Sequence, residues 1–86
     1  MAEEQIGRIS HYFSKIQVAA IELTDGSLAV GDIIHIKGHT TDLKEPIKSI
    51  QIEHEQLQTA RKGDSIGVKV SDHVREHDVV YKVLPE

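Results

Sequence analysis

The 86-residue sequence contains no cysteine, no tryptophan, only two prolines, and three aromatic side chains: Tyr12, Phe13 and Tyr81. Without cysteine there is no disulfide framework, no thiol nucleophile and no thiolate metal site, a composition that fits a reducing compartment. Three aromatic residues are too few for a platform that stacks successive bases. No apolar run approaches the roughly 20 residues of a membrane span. The opening Met1-Ala2-Glu3-Glu4-Gln5 lacks the basic and apolar regions of a secretory signal. A soluble, cytoplasmic protein without a membrane partner is expected. The formal net charge of −4 runs against a dedicated nucleic-acid binder, because neutralising phosphate drives most of such affinity. It leaves room for a local basic patch.

What is present is a repeated turn device. Asp25-Gly26 supplies the positive φ angles of a tight turn. Gly31-Asp32 turns the chain again and leads into Ile33-Ile34-His35-Ile36-Lys37, where Ile34 and Ile36 share one side and His35 and Lys37 the other. The same pattern returns at Gly63-Asp64-Ser65-Ile66-Gly67-Val68-Lys69, so both copies read G-D-x-I-x-[IV]-K. Asp32 and Asp64 are expected to cap their own turns, the usual reason for aspartate at such positions.

Around these turns the chain divides into strands. Gln5 to Phe13 reads as the first, with a shift of apolar parity between Ile6 and Ile9 that predicts a bulge near Gly7. Ile16 to Leu23 reads as the second, its parity changing across an expected bend at Ala19-Ala20. Asp32 to Gly38 is the third. The fourth runs from about Leu43 to His54, its first part weakened by Pro46. Glu55 to Lys62 reads as a mostly extended loop with Leu57 and Ala60 tucked inward, being too short for a stable helix. Ser65 to Val70 is the fifth strand, with Ile66, Val68 and Val70 inward. Val74 alone anchors the charged stretch Ser71 to His77. Asp78 to Leu84 is the last strand, ended by Pro85. Short strands, Gly-Asp turns and almost no helical period predict one all-β domain over residues 1–86. It is a compact, approximately six-stranded antiparallel barrel, with residues 1–4 as a disordered tail. A chain of this size buries roughly 60–65% of its unfolded surface, enough for a modest core.

Three motifs in order carry a resemblance: Gly26-x-Leu28-x-Val30-Gly31-Asp32-x-Ile34, then Ala60-x-x-Gly63-Asp64-x-Ile66-Gly67, then Val74-Arg75-x-x-Asp78-Val79-Val80. The set resembles the second domain of translational GTPases such as elongation factor Tu, which implies a small Greek-key β-barrel. It is similar to free-standing elongation-factor-like barrels, and to the barrel at the C-terminus of collagenase-like peptidases, some of which act in RNA modification. A GTPase phosphate loop of the form G-x-x-x-x-G-K-[ST] is missing, so no nucleotide is expected.

Chemistry is sparse. There is no Gly-x-Ser-x-Gly elbow, the carboxylates fall in turns or on outward parities, and a filled barrel offers little interior for acid–base work. No catalytic residue and no cofactor are expected. Six histidines, His11, His35, His39, His54, His73 and His77, are the one unusual count. His73 and His77 would face one another on a helix, but their stretch reads as a loop, and no metal site is assigned. The remaining candidate is basic: Arg61, Lys62, Lys69 and Arg75, in and around the fifth strand, form a candidate contact surface for RNA or a partner. By resemblance the chain reads as a non-enzymatic binding module for RNA, the ribosome or transfer-RNA-associated factors, whose binding would weaken with salt. The alternative is a protein-docking accessory module for an enzyme partner, or one that associates with itself, through a strand edge or apolar patch.

Overall fold

The computed structural model describes residues 2–53 and 55–84. The expected strand end at His54 and the terminating role of Pro85 lie outside the described residues, as does Met1 of the expected tail. Ten strands run in chain order: β1 (Ala2–Phe13), β2 (Val18–Leu23), β3 (Leu28–Ala29), β4 (Ile33–Lys37), β5 (Asp42–Pro46), β6 (Ile50–Ile52), β7 (Glu55–Leu57), β8 (Thr59–Ala60), β9 (Ser65–Lys69) and β10 (Val79–Leu84). Eight form one antiparallel sheet in the order β5-β4-β10-β1-β2-β9-β6-β7, and β3 pairs with β8 in a two-stranded ribbon. No helix occurs among the described residues. The all-β antiparallel Greek-key barrel is the architecture expected from the sequence.

Two differences in strand count have local causes. The long fourth strand is two strands, β5 and β6. After Pro46 the chain turns inward at Ile47, whose N–H donates to the Asp32 carbonyl at 2.8 Å. The stretch Glu55 to Lys62 is extended as expected, but it pairs: Ile50 to Ile52 of β6 bonds with Glu55 to Leu57 of β7, and Ala60 bonds opposite Leu28. With the fourth strand divided, β7 added beside β6, and β3 and β8 added as the ribbon, six expected strands become ten.

β1 carries two irregularities. The first falls between Gln5 and Gly7 against β10, where the sequence predicts a bulge. An added Cβ on Gly7 would run into the Glu22 carbonyl oxygen of β2, so this position requires the bare backbone. The second falls between Ile9 and His11 against β2. It takes over the role that the sequence assigned to a bend at Ala19-Ala20. β2 itself keeps one inward parity, Ala19, Ile21 and Leu23, while Val18 and Ala20 lie on its other face. Ser10 is the extra residue, and its hydroxyl donates to the Ala20 carbonyl at 3.2 Å.

Residues 2–4 are strand, not tail. Ala2, Glu3 and Glu4 pair with Leu84, Val83 and Lys82 of β10. Their polarity suggested solvent, but β10 needs a neighbour on that side to satisfy its backbone. Inside the barrel, Ile6 and Ile9 of β1 meet Ile21, Ile34, Ile36, Ile66, Val68 and Val80, all at 2% exposure or less. Leu57 packs against this core partly buried, and Ala60 is buried within it, as the sequence predicts. Val74 is fully buried and ties the segment before β10 to the core.

Candidate functional site

Three turns share one hydrogen-bonding pattern. Gly31 has φ +99° and Gly63 has φ +96°, values that favour glycine because they place Cβ against the carbonyl. In each turn the aspartate closes a backbone bond three residues back, Asp32 N to Ala29 O and Asp64 N to Arg61 O, both at 3.0 Å. The aspartate carboxylate then accepts from the first residue of the turn. Ala29 N donates to Asp32 Oδ2 at 2.9 Å, and Arg61 N donates to Asp64 Oδ2 at 3.0 Å. The expected capping role of both aspartates is what the geometry displays.

A third copy, not legible as Gly-Asp, lies at Arg75-Glu76-His77-Asp78. Asp78 N donates to Arg75 O at 3.2 Å, Arg75 N donates to Asp78 Oδ2 at 2.9 Å, and His77 stands at φ +74° where the others have glycine. Each turn docks through a reciprocal backbone pair. Gly31 N donates to Ile47 O and Ile47 N to Asp32 O; Gly63 N donates to Leu23 O and Leu23 N to Asp64 O; His77 N donates to Ile9 O and Ile9 N to Asp78 O. These turns are scaffold, and they place the cationic candidates.

Arg61 and Lys62 lie within the second turn, docked on Leu23. Lys69 sits at the far end of β9, opposite Val18, roughly 13–17 Å of strand away from that turn. Arg75 starts the third turn beside Ile9 and lines a groove with Thr41, Asp42, Asp72 and His73. Arg61 and Lys62 are chain neighbours in one turn, Lys69 lies at the other end of β9, and Arg75 belongs to a different turn, next to two carboxylates.

Three of the described histidines, His35, His11 and His73, have local side-chain partners. His35 Nδ1 lies 2.7 Å from Glu3 Oε2 and its Nε2 lies 2.5 Å from Asp42 Oδ1. The ring thus bridges two carboxylates, one at each nitrogen. The hydrogen bond from His35 holds the Glu3 and Asp42 carboxyls below their ordinary values, with Lys44 and Lys37 helping and partial desolvation opposing. This bridge joins β1, β4 and β5 and pins the first residues of β1. His11 Nδ1 meets Glu76 Oε2 at 3.0 Å, and its ring packs edge-on against Phe13 at 4.6 Å. His73 packs edge-on against Tyr12 at 4.7 Å. Among the described residues no group of three or more histidine or carboxylate side chains is placed to hold a metal ion.

An apolar groove opens on the outer face of β2, β9 and β6, with a volume of about 410 Å³. Its walls are Phe13, Ile16, Val18 and Ile52, and Ala20 beside Gly67 makes a low floor. Phe13 is 45% exposed and Ile16, in the turn between β1 and β2, is 61% exposed. The signal for this groove was present in the sequence as apolar residues on both parities of the second strand. The sequence reads the parity change there as a bend, since one strand alone does not say which face is covered.

Comparison with known proteins bears on this arrangement. No family model matches the chain. An uncharacterized protease from Methanocaldococcus jannaschii, MJ0090, is 45% identical over 78 residues, which is 90% of this chain and 19% of that protein. A collagenase from Porphyromonas gingivalis is 35% identical over 78 residues, again 90% of this chain and 22% of that protein. The chain thus spans about a fifth of the length of the curated relatives it matches. Among solved structures, the C-terminal domain of a putative U32 peptidase from Geobacillus thermoleovorans superposes with a TM-score of 0.86 at 19% identity, covering 94% of this chain and 93% of that one. GDP-bound aIF5B from Aeropyrum pernix superposes with a TM-score of 0.67 at 19% identity, covering 96% of this chain and 14% of that one. The chain resembles the C-terminal barrel of collagenase-like peptidases and, in fold, the barrel of a translational GTPase.

Proposed function

We propose that the barrel is a non-catalytic protein-docking module that serves a peptidase-type enzyme. The observation that carries this reading is the 45% identity to the Methanocaldococcus jannaschii protease across nearly the whole chain, yet across only 19% of that protein. In such relatives the barrel is a minor part beside a much larger remainder, so a large neighbouring surface is available to it. Among the described residues the interior is filled by aliphatic side chains and Asp32, Asp64 and Asp78 are committed to turns, which favours a barrel that takes no part in peptide hydrolysis itself. The translation-factor reading has only a shared fold behind it, and a shared fold does not carry function.

The test is a chimera in which the matching 78-residue stretch of the Methanocaldococcus jannaschii protein is replaced by this chain, isotope-labelled in the barrel segment alone. A docked barrel tumbles with the whole chimera, and its amide relaxation reports the long correlation time of the full protein. Relaxation typical of an independent 9.6 kDa body would sink the docking reading. A docked state held by apolar contact persists as salt is raised, since screening acts on exposed charges.

A further inference from the structure

We infer that the link between Asp25 and Gly26 is a site of spontaneous covalent modification, at which the folded chain converts aspartate to isoaspartate through a cyclic imide. The inference stands apart from the docking reading. The chemistry is intramolecular, with nucleophile and electrophile held in one short stretch of chain. The Gly26 amide nitrogen attacks Cγ of the Asp25 carboxyl group in its acid form. An N–Cγ bond forms, the Cγ–OH bond breaks, and the hydroxyl leaves as water with the proton from the nitrogen. Solvent water then opens the five-membered ring. Cleavage at the side-chain carbonyl restores aspartate. Cleavage at the main-chain carbonyl leaves the backbone running through Cβ and Cγ, with the α-carboxyl group released. Water is the sole co-reactant, and the composition of the chain is unchanged.

Several features of the structure converge on this link. Asp25 is exposed, in the bend between β2 and β3, where water reaches the ring and the backbone lies outside the strand ladders. Among the described residues the one bond its side chain makes is to the adjoining Thr24 hydroxyl, 3.1 Å from Oδ2, so no distant group anchors the carboxyl. Thr24 N and Asp25 N both donate to the Ile6 carbonyl, at 2.9 and 3.1 Å, whereas no acceptor among the described residues takes up the Gly26 N–H. Glycine at 26 puts no Cβ in the way of ring closure. Core packing fixes that identity, because a Cβ there would come within 2.7 Å of Ile6 Cγ2 and Ile6 is fully buried. The fold thus keeps at 26 the residue that protects Asp25 least.

The other five aspartates are placed against the reaction. Asp32, Asp64 and Asp78 accept backbone N–H bonds in their turns, and the nitrogens that follow them, of Ile33, Ser65 and Val79, begin β4, β9 and β10. Asp42 meets His35 and is followed by Leu43 inside β5. Asp72 is the nearest competitor, since its Oδ1 accepts from the His73 N–H at 2.7 Å. There the hydrogen points at the carboxylate in the plane of the amide, and the nitrogen's π electrons stand perpendicular to the approach that ring closure needs. Isomerisation at Asp25 adds one atom to the backbone between the bonds to Ile6 and the buried Leu28, which opens β3 opposite Ala60, and so loosens the ribbon of β3 and β8.

The test incubates the chain for weeks at neutral pH, well below its melting temperature, beside Asp25→Glu and beside the unmodified chain in concentrated urea. Glutamate would have to close a six-membered ring, which is far slower, and a dispersed amide spectrum confirms the fold of the variant. Isoaspartate is counted by enzymatic methyl transfer to its α-carboxyl group. It is located by electron-transfer fragmentation, which breaks the Cα–Cβ bond that isoaspartate carries in its main chain. The native chain should accumulate isoaspartate at Asp25 several-fold faster than at any other aspartate, with a transient form of the same peptide lighter by one water, and Asp25→Glu should abolish that signal. Isoaspartate at Asp25 in urea but not in the native chain would show that the fold protects the link, and would overturn the inference. Equal or greater accumulation at Asp72 or another aspartate would overturn it as well, as would accumulation undiminished in Asp25→Glu.

Discussion

The three matched turns permit a clean measurement of backbone strain. At Gly31 and Gly63 an added Cβ meets no atom within 4 Å, so replacing either by alanine probes φ alone. An L-residue in the left-handed region costs about 1–2 kcal/mol. Removing glycine's freedom from the unfolded chain returns about 0.4–1 kcal/mol. Gly31→Ala and Gly63→Ala should each destabilise by roughly 0.5–1.5 kcal/mol, lowering the melting temperature by roughly 3–10 °C for a domain of this size. The third turn runs the experiment in reverse. His77 is exposed and holds φ +74°, a region histidine visits more often than most residues but still at a cost. His77→Gly should therefore stabilise by about 0.5–1 kcal/mol on the same arithmetic. Urea and thermal unfolding followed by far-ultraviolet circular dichroism reads all three. Unchanged stability in both alanine variants, or a loss in His77→Gly, would refute the equivalence of the turns and show that side-chain contacts of His77 matter more than its backbone.

Other consequences follow from particular contacts. Asp78→Ala removes a nearly buried carboxylate, 5% exposed, and strands the Arg75 N–H; it should cost about 1–3 kcal/mol, more than Asp32→Ala or Asp64→Ala at their half-buried sites, in the same unfolding assay. Gly7→Ala forces a methyl into the Glu22 carbonyl and should cost about 3 kcal/mol with lost β1–β2 amide protection in hydrogen exchange. Because the Glu3 and Asp42 carboxyls titrate below their ordinary values of 4.5 and 3.8 in the folded chain, their bridge to His35 contributes stability that is complete above those values. It is lost as pH falls through the depressed ones. The melting-temperature gap between the unmodified chain and His35→Gln should therefore narrow on going from pH 6 to pH 3, and a gap that is constant or widens would refute the bridge.

Much of the barrel was legible one strand at a time. Ile34 and Ile36, and Ile66, Val68 and Val70, alternate inward as their spacing requires, and the two Gly-Asp turns announce themselves by residue type. The third turn escaped because His77 occupies the glycine position, although Asp78 three residues after Arg75 preserves the hydrogen-bonding logic. The first residues of β1 escaped because Ala2-Glu3-Glu4 are polar and their partners, Leu84 to Lys82 and His35, come from distant parts of the chain. The cationic candidates were found as residue types, but their grouping was not, since β9 sets Lys69 at the opposite end from Arg61 and Lys62.

Local physics explains this division. Alternation along a strand, positive φ at glycine and aspartate capping act over two to four residues, so the amino-acid sequence alone determined the all-β class, the two Gly-Asp turns and the inward face of most strands, whereas the positive φ expected at Asp25-Gly26 is found only at Gly31 and Gly63 among the described glycines. Which outer faces are covered, which cations share a surface and where a bulge absorbs a parity change depend on the neighbour each strand acquires. Those neighbours were decided only by the tertiary structure. β1 lies between β10 and β2, a pairing that joins Ala2 to Leu84. Val18 and Ala20 become the wall and floor of an open groove because the strands beside them present Phe13 and Gly67 rather than a covering layer.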